Sequence, residues 1–566
     1  MRKSIWLNAA LSCFITCALP VLTPNRAVSA ERLKLSFGIV ERSISVDSLE
    51  TYAKTGQIND ELAAYFKYVP KENRGQLREA LLAPIPLKAV EVSQFLYSPI
   101  GETLLESLSQ VVQSEFRNRG QTIREKYRRS SGFYGTRAAL ILAADKPENF
   151  NIINILRKFP SKNISIDLFR SLEIGLRARN IVNRTQKAVA LIDGKSLNEA
   201  SNKTVSNNII SDALQKGNFT YTKNSRTLTD VSRIRSFPVD IYLPSTTKPL
   251  PVIVISHGLG SDRTSFAYLA EFLASHGFVV AVPEHPGSNS QQLQALLGGI
   301  ADTVTEPREF VDRPLDVKYI LDRLEFLTNS DPEYKGRFNM EQVGVIGQSF
   351  GGYTVLGLAG AQINFPQLQK NCPVDQNTLN VSLLLQCQAL GLPKFDYKLS
   401  DPRIKAAVAI NPVDSSVYGQ QGLSKINIPM MIVAGTADTV APAYPEQIVP
   451  FTWLTNENKY LVLMNGGTHF STIAESPDDS SIPLPSQVIG PSPNLARNYT
   501  NYLALAMFKT YVTNDSSYQR YLNANYINSL GQDDLFLRVV KELKNQELRS
   551  FKKSDEGLNV AVGLEN

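Results

Sequence analysis

The pentapeptide Gly347-Gln348-Ser349-Phe350-Gly351 decides how this chain is read. It follows the apolar, β-type run Val343-Gly344-Val345-Ile346 and opens a small-residue, helix-like run from Phe350 to Ala361. The spacing predicts a sharp strand-to-helix turn with Ser349 at its tip, which lifts the hydroxyl clear of the sheet. Gly347 and Gly351 flank the serine because their missing side chains let strand and helix pack closely around a strained residue.

A serine hydroxyl is a weak nucleophile until a base takes its proton, and the base needs an acid to fix its tautomer and direction. Of the four histidines only His469 follows Ser349, in Asn465-Gly466-Gly467-Thr468-His469-Phe470 just past a predicted strand. A loop there can aim the ring at the serine. The acid is read as Asp438, in Gly435-Thr436-Ala437-Asp438-Thr439-Val440-Ala441-Pro442, with Asp414 after the preceding strand as competitor. Negative charge developing on a substrate oxygen needs two backbone donors. Phe350 is the natural first donor and Leu259 the second, the latter in His257-Gly258-Leu259-Gly260 beyond the strand Pro251–Ser256. Gly258 gives that loop its freedom. His257 and His285 fall at predicted strand ends and are read as supports of the loop; His276 is read as structural.

Working outward, strands and helices alternate on either side of the pentapeptide. Phe237 to Leu243 reads as an edge strand, and Pro251 to Ser256 as a strand buried on both faces. Helix-like Ser265 to Ser275 follows, then the strand Phe278 to Val282, a polar excursion from Gly287 to Asp312 and a helix from Leu315 to Asn329. Beyond the elbow come an insertion at residues 363–400, strands at Ile404 to Ile410, Pro429 to Ala434 and Tyr460 to Met464, and a helix from Asn494 to Val512. Alternation of this kind predicts an α/β fold with a mostly parallel sheet covered on both faces.

The 566 residues are too many for one ordinary domain. The division read from the sequence is residues 1–30 as an export signal, 31–220 as a mainly α-helical N-terminal domain with a polar linker from Asn198 to Ser225, 221–530 as the α/β domain, and 531–566 as a charged tail. The signal rests on Arg2 and Lys3, the apolar run Ile5 to Leu22 and the small-x-small site Ala27-Val28-Ser29-Ala30; it predicts a periplasmic or secreted protein with no membrane span in its mature part. In the N-terminal domain Ser45 and Asn59 are predicted helix caps and Gly56 a helix stop. Having neither histidine nor cysteine, that domain is read as a lid, docking or interaction module, with contact to an envelope or lipid surface among its roles.

Hydrophobic residues make up 43% of the chain and charged residues 20%, a composition that supplies a large core. The net charge of +6 is dispersed and excludes a nucleic-acid footprint, since no long basic helix or zinc-finger spacing occurs. The densest basic stretch, Arg117 to Arg129, contains Glu125 and reads as a solvated connector. Of four cysteines, Cys13 and Cys17 lie in the export segment. Cys372 and Cys387 either close a local disulfide in an oxidising compartment or remain as two buried thiols. With no His-Glu-x-x-His, Cys-x-x-Cys or Walker loop, no metal or organic cofactor is implied.

With elbow, acid loop, histidine loop and oxyanion loop in order, the segment from about Arg235 to Leu530 resembles the α/β-hydrolase superfamily. Ser256-His257-Gly258-Leu259-Gly260-Ser261-Asp262-Arg263-Thr264, with Ala274-Ser275-His276-Gly277-Phe278 and Glu284-His285, is similar to the plasma-type platelet-activating-factor acetylhydrolases. The chain departs from them in Gln348 and in Asn411, which stands where that family carries its acid. The acid and histidine loops instead resemble those of bacterial cutinase-like polyester hydrolases. Tyr134-Gly135-Thr136-Arg137-Ala138-Ala139-Leu140 resembles the helical domain of unknown function attached to certain bacterial members. The resemblance implies a serine esterase or lipase acting on lipid or short-acyl esters. Acyl transfer to an alcohol on the same triad, and a non-catalytic binding protein, are the alternatives.

Overall fold

A computed structural model describes residues 29–37, 40–85, 87–114, 131–200, 215–372, 380–474, 486–531 and 534–551. The export segment up to Val28, the basic stretch Arg117 to Arg129 and much of the polar linker lie outside the described residues. Two compact units emerge: one from the residues up to Ser93 together with Leu105–Ser171, the other from Gln94–Leu104 together with Leu172 onward. Among the described residues no helix is long and apolar enough to cross a membrane.

The first unit is mainly helical, as read, and its caps form as the sequence dictates. Ser45 Oγ accepts the Ser48 amide at the start of the helix Val46–Thr55, which Gly56 ends at φ 78°, and Asn59 Oδ1 accepts the Leu62 amide at the next. The helical reading omits a small sheet. β1 (Arg32–Phe37), β2 (Val40–Ser45), β3 (Val112–Ser114) and β4 (Asn163–Asp167) pair in the order β2-β1-β4-β3. The alternation of Leu33 and Leu35 was the available signal. Its partner β4 is too far along the chain for any local pattern to reveal.

The second unit carries a nine-stranded sheet. Its strands are β5 (Tyr221–Asp230), β6 (Arg235–Pro244), β7 (Leu250–Ser256), β8 (Val279–Pro283), β9 (Phe338–Gln348), β10 (Ile404–Ile410), β11 (Met430–Gly435), β12 (Lys459–Met464) and β13 (Leu537–Val540). They lie in the order β13-β12-β11-β10-β9-β7-β8-β6-β5. The six strands from β12 to β8 run parallel, and β13, β6 and β5 are antiparallel to their neighbours. The helices that matter below are α1 (Leu168–Glu199), α2 (Ala267–Ser275), α3 (Glu309–Ser330), α4 (Phe350–Leu358), α5 (Val381–Gln388) and α6 (Pro493–Tyr511).

The sheet is buried on both faces. Val252, Val254, Val343 and Val345 join α3 and α4 in one apolar core, while Ile253, Ile255, Val408 and Ile410 join α2 and α6 in the other. Successive residues of one strand thus feed opposite cores, which is why β7 reads as an unbroken apolar run and β10 is interrupted only by the exposed Lys405. From β7 the chain moves outward to β8 and then returns past β7 to β9. That reversal opens a crevice beyond the carboxyl ends of β7 and β9, the place where open α/β sheets bind ligands.

Three sequence expectations are corrected here. Phe237 to Leu243 is not an edge: β6 pairs with both β5 and β8, and β5 takes the edge. β5 begins inside the stretch read as linker, because its mostly exposed polar residues carry little strand signal. Leu537, Val539 and Val540, within the tail read as charged, are buried in β13 against β12. α1, unread in the sequence, buries Ala188 and Ile192 in the core of this unit.

Candidate active site

Ser349 follows the last residue of β9 and precedes the first of α4, with φ 56° and ψ −116°. This backbone conformation is costly for a residue with a side chain and persists only where the surroundings enforce it. The enforcement is visible. A Cβ on Gly351 would lie 2.0 Å from the Ser256 carbonyl oxygen, and one on Gly347 would lie 2.3 Å from that of Gly351. The Ser349 amide donates to the Ile410 carbonyl at 2.9 Å, tying the turn to β10.

His469 comes from the loop after β12 and meets the turn from the other side. Its Nε2 lies 2.9 Å from Ser349 Oγ, and its Nδ1 lies 2.7 Å from Asp438 Oδ2. Asp438, in the loop after β11, uses its other oxygen to accept the Val440 and Ala441 amides at 2.8 and 2.7 Å. With Nδ1–H committed to Asp438, Nε2 is the acceptor that faces the serine. All three residues are buried.

Asp414 makes no bond to this histidine. It is fully buried, and neither carboxyl oxygen has a partner among the described residues. Burial first, and the neighbouring Glu446 second, push its carboxyl well above the usual range. Glu446, equally buried, accepts from Asn380 and Gln386 of the insertion, from the Asp414 and Ser415 amides, and from Ser415 Oγ. Five donors let a buried carboxylate hold the insertion to the loop after β10. Within the insertion, the structure joins Cys372 and Cys387 as a disulfide, with Cα atoms 5.9 Å apart.

Matches to known proteins agree with this frame. Residues 29–167 match the family described as "Alpha/beta hydrolase of unknown function (DUF1400)", and residues 231–296 match platelet-activating factor acetylhydrolase, isoform II. The fold is that of the α/β-hydrolases.

Cutinase 2 of Thermobifida cellulosilytica is 21% identical over 289 residues, which cover 50% of this chain and 76% of that protein. The platelet-activating factor acetylhydrolases of Cavia porcellus and Canis lupus familiaris are 29% and 32% identical over 143 and 146 residues. Each of those matches covers 20% of this chain and 32% of the relative, so the chain spans about a third of their length.

In this fold the loop after β7 lies against the strand-to-helix turn at Ser349. A Cβ on Gly258 would stand 3.3 Å from Ser349 Cβ and 2.5 Å from Gln348 Oε1, so a side chain there would have to displace the Gln348 amide. Among the described residues, neither the Leu259 nor the Phe350 amide donates to a protein acceptor. His257 beneath the loop accepts the His285 amide on Nε2 at 3.0 Å and donates Nδ1–H to the Gly258 carbonyl at 2.8 Å. Burial, reinforced by Arg313, lowers its pKa to about 4 and keeps the ring neutral. His285 spans Ser256 Oγ and Asp316 Oδ2, each at 3.0 Å. Both rings support the loop, as the sequence suggested. His276, at the end of α2, bonds the Gln215 carbonyl.

Several residues at the site have no role in the sequence reading. Asn411, at φ 43°, accepts the Gly435 amide on Oδ1 and donates Nδ2 to the Thr468 carbonyl, joining the acid and histidine loops. Gln348 donates to the His469 carbonyl. Arg313, Glu309, Asp312 and Asp316 sit where the sequence read a polar excursion leading into an ordinary helix. The structure buries all four. Only the packing of α3 against β9 and α4 reveals that this charged turn faces inward.

Proposed function

We propose that this chain is an exported serine hydrolase of carboxylic esters, with Ser349, His469 and Asp438 as its catalytic residues. The observation that carries the reading is the unbroken chain Ser349 Oγ–His469–Asp438, with links of 2.9 and 2.7 Å, at the carboxyl ends of the central strands. As His469 Nε2 takes its proton, Ser349 Oγ attacks the ester carbonyl, and Asp438 stabilises the imidazolium. The Phe350 and Leu259 amides receive the oxyanion. His469 then protonates the leaving alcohol, and a water activated by the same ring releases the acid.

The names of the relatives support an ester substrate, with lipid or short-acyl esters fitting both kinds. Export rests on the leader-like first thirty residues, and the N-terminal unit is assigned a docking or covering role. The division that goes with this assignment is a leader at 1–30, an N-terminal unit, and an α/β unit that takes in α1 and β13.

Hydrolysis of p-nitrophenyl esters from acetyl to palmitoyl, by the parent and by Ser349→Ala, tests the reading. Activity in the parent that vanishes in the variant is the expected result, and the chain-length optimum then separates short-acyl esterase from lipase. Folded parent protein inactive on every chain length would favour the binding-protein alternative.

A further inference from the structure

One guanidinium in the α/β unit is fully buried and has no part in the triad. Arg313 lies in the first turns of α3 with no exposed surface. Pro314 follows it and has no N–H for the Phe310 carbonyl, which takes the Tyr353 hydroxyl of α4 instead at 2.8 Å. The missing helix bond thus joins α3 to the elbow helix.

Every nitrogen of Arg313 points at the machinery around the serine. Nη2 donates to the His257 carbonyl and lies 3.3 Å from Ser256 Oγ; Nη1 donates to Ser288 Oγ at 2.7 Å; Nε donates to Thr354 Oγ1 at 3.2 Å. The guanidinium carbon stands 4.8 Å from the centre of the Phe350 ring. These partners lie on or beside the two segments that carry the Leu259 and Phe350 amides. The His257 carbonyl begins the loop that carries Leu259, and the Ser288 carbonyl holds the Gly260 amide that ends it, at 2.8 Å. Thr354 Oγ1 in turn donates to the Phe350 carbonyl at 2.9 Å. Behind the arginine, Arg235 pairs with Glu309 and Asp316 at 2.7 and 2.8 Å, so the carboxylates that face Arg313 are themselves held.

A buried cation is costly unless fully bonded, and a bland stability role would be met more cheaply by an apolar residue of similar volume. What an apolar residue lacks is a rigid fork that fixes several acceptors at set directions.

We propose that Arg313 is a positioning residue of the oxyanion hole, setting the Leu259 loop and the Phe350 turn at the spacing their two amides need. The inference rests on the esterase reading above. Two donors placed in advance stabilise the transition state more than the bound ester, so a loosened pair lowers kcat and leaves KM in place.

The test uses the full chain, p-nitrophenyl esters and a trifluoromethyl ketone that forms a tetrahedral adduct with the serine. Arg313→Lys keeps the charge and loses the fork. Its kcat is expected to fall about 10- to 100-fold with KM within about twofold, and its Ki for the ketone to rise in step with the loss of kcat. Ser288→Ala, which removes one anchor between arginine and loop, should show a smaller loss with the same split, and decides the matter where Arg313→Lys does not fold. Folded variants with kcat within about twofold of a parent that Ser349→Ala abolishes overturn the inference alone. A parent whose activity survives Ser349→Ala overturns the esterase reading and the inference with it.

Discussion

The side-chain amide of Gln348 donates to the backbone carbonyl of His469 at 2.9 Å, across 121 residues of sequence. The residue beside Ser349 therefore braces the loop that carries His469. Gln348 is one of the two positions at which the chain departs from the acetylhydrolase-type pattern. Gln348→Leu keeps the volume and removes the brace. One lost buried hydrogen bond costs about 1 kcal/mol. We expect kcat on p-nitrophenyl esters to fall about fivefold with KM nearly unchanged, the pattern of a base held less well in the transition state. A variant with parental kcat would show that the histidine loop stands without this brace.

Asp438 and Asp414 compete in the sequence and separate in space. Asp438→Asn leaves the shape and upsets the tautomer that His469 needs, so kcat should drop about 10³- to 10⁴-fold. Asp414→Asn should leave kcat within about threefold, because no bond links Asp414 to His469. Steady-state kinetics of the two variants side by side checks both, and a reversal of their ranking would move the acid to Asp414.

The same Asp414 predicts a pH effect on stability. Burial and Glu446 raise its folded pKa well above the ordinary value, so the folded state holds a proton that the unfolded chain releases above about pH 4. Fewer protons are then bound unfolded than folded, and this group subtracts stability as pH rises, by up to about 1.4 kcal/mol per unit. Asp414→Asn removes the subtraction. Its thermal midpoint should exceed the parent's by more at pH 8 than at pH 5; a gain that is equal at both, or larger at pH 5, contradicts the assignment.

The disulfide Cys372–Cys387 spans a sequence separation of 15 within the insertion. Closing a loop of that size removes unfolded-state freedom worth about 3 kcal/mol. Cys372→Ser/Cys387→Ser is expected to lower the thermal midpoint by several degrees and to make it insensitive to added reductant, while the parent's midpoint falls when reductant is present. Calorimetry with and without reductant measures both arms.

The sequence by itself determined the alternation of strands and helices, the strand-to-helix turn at Ser349, and the order serine, aspartate, histidine. These are legible because each rests on near neighbours. A buried strand is an apolar run, a cap is a polar residue one turn ahead of its amide, and an elbow is a serine between glycines that let strand and helix close on each other. The parallel centre of the sheet followed from the same alternation. The edges did not, since β5 is mostly polar and β13 lies in a charged tail, and both hold their places through partners met elsewhere in the chain.

Tertiary structure alone decided which aspartate meets His469, that Asn411 and Gln348 join the loops, and that the charged turn around Arg313 faces inward beneath the loop after β7. Each depends on groups far apart in sequence brought within hydrogen-bond distance, where a buried polar atom must find its partner. A charged helical turn looks the same in sequence whether it faces water or Ser256. Only the close packing of α3 against β9 and α4, which shuts the guanidinium off from solvent, brings Arg313 against the His257 carbonyl.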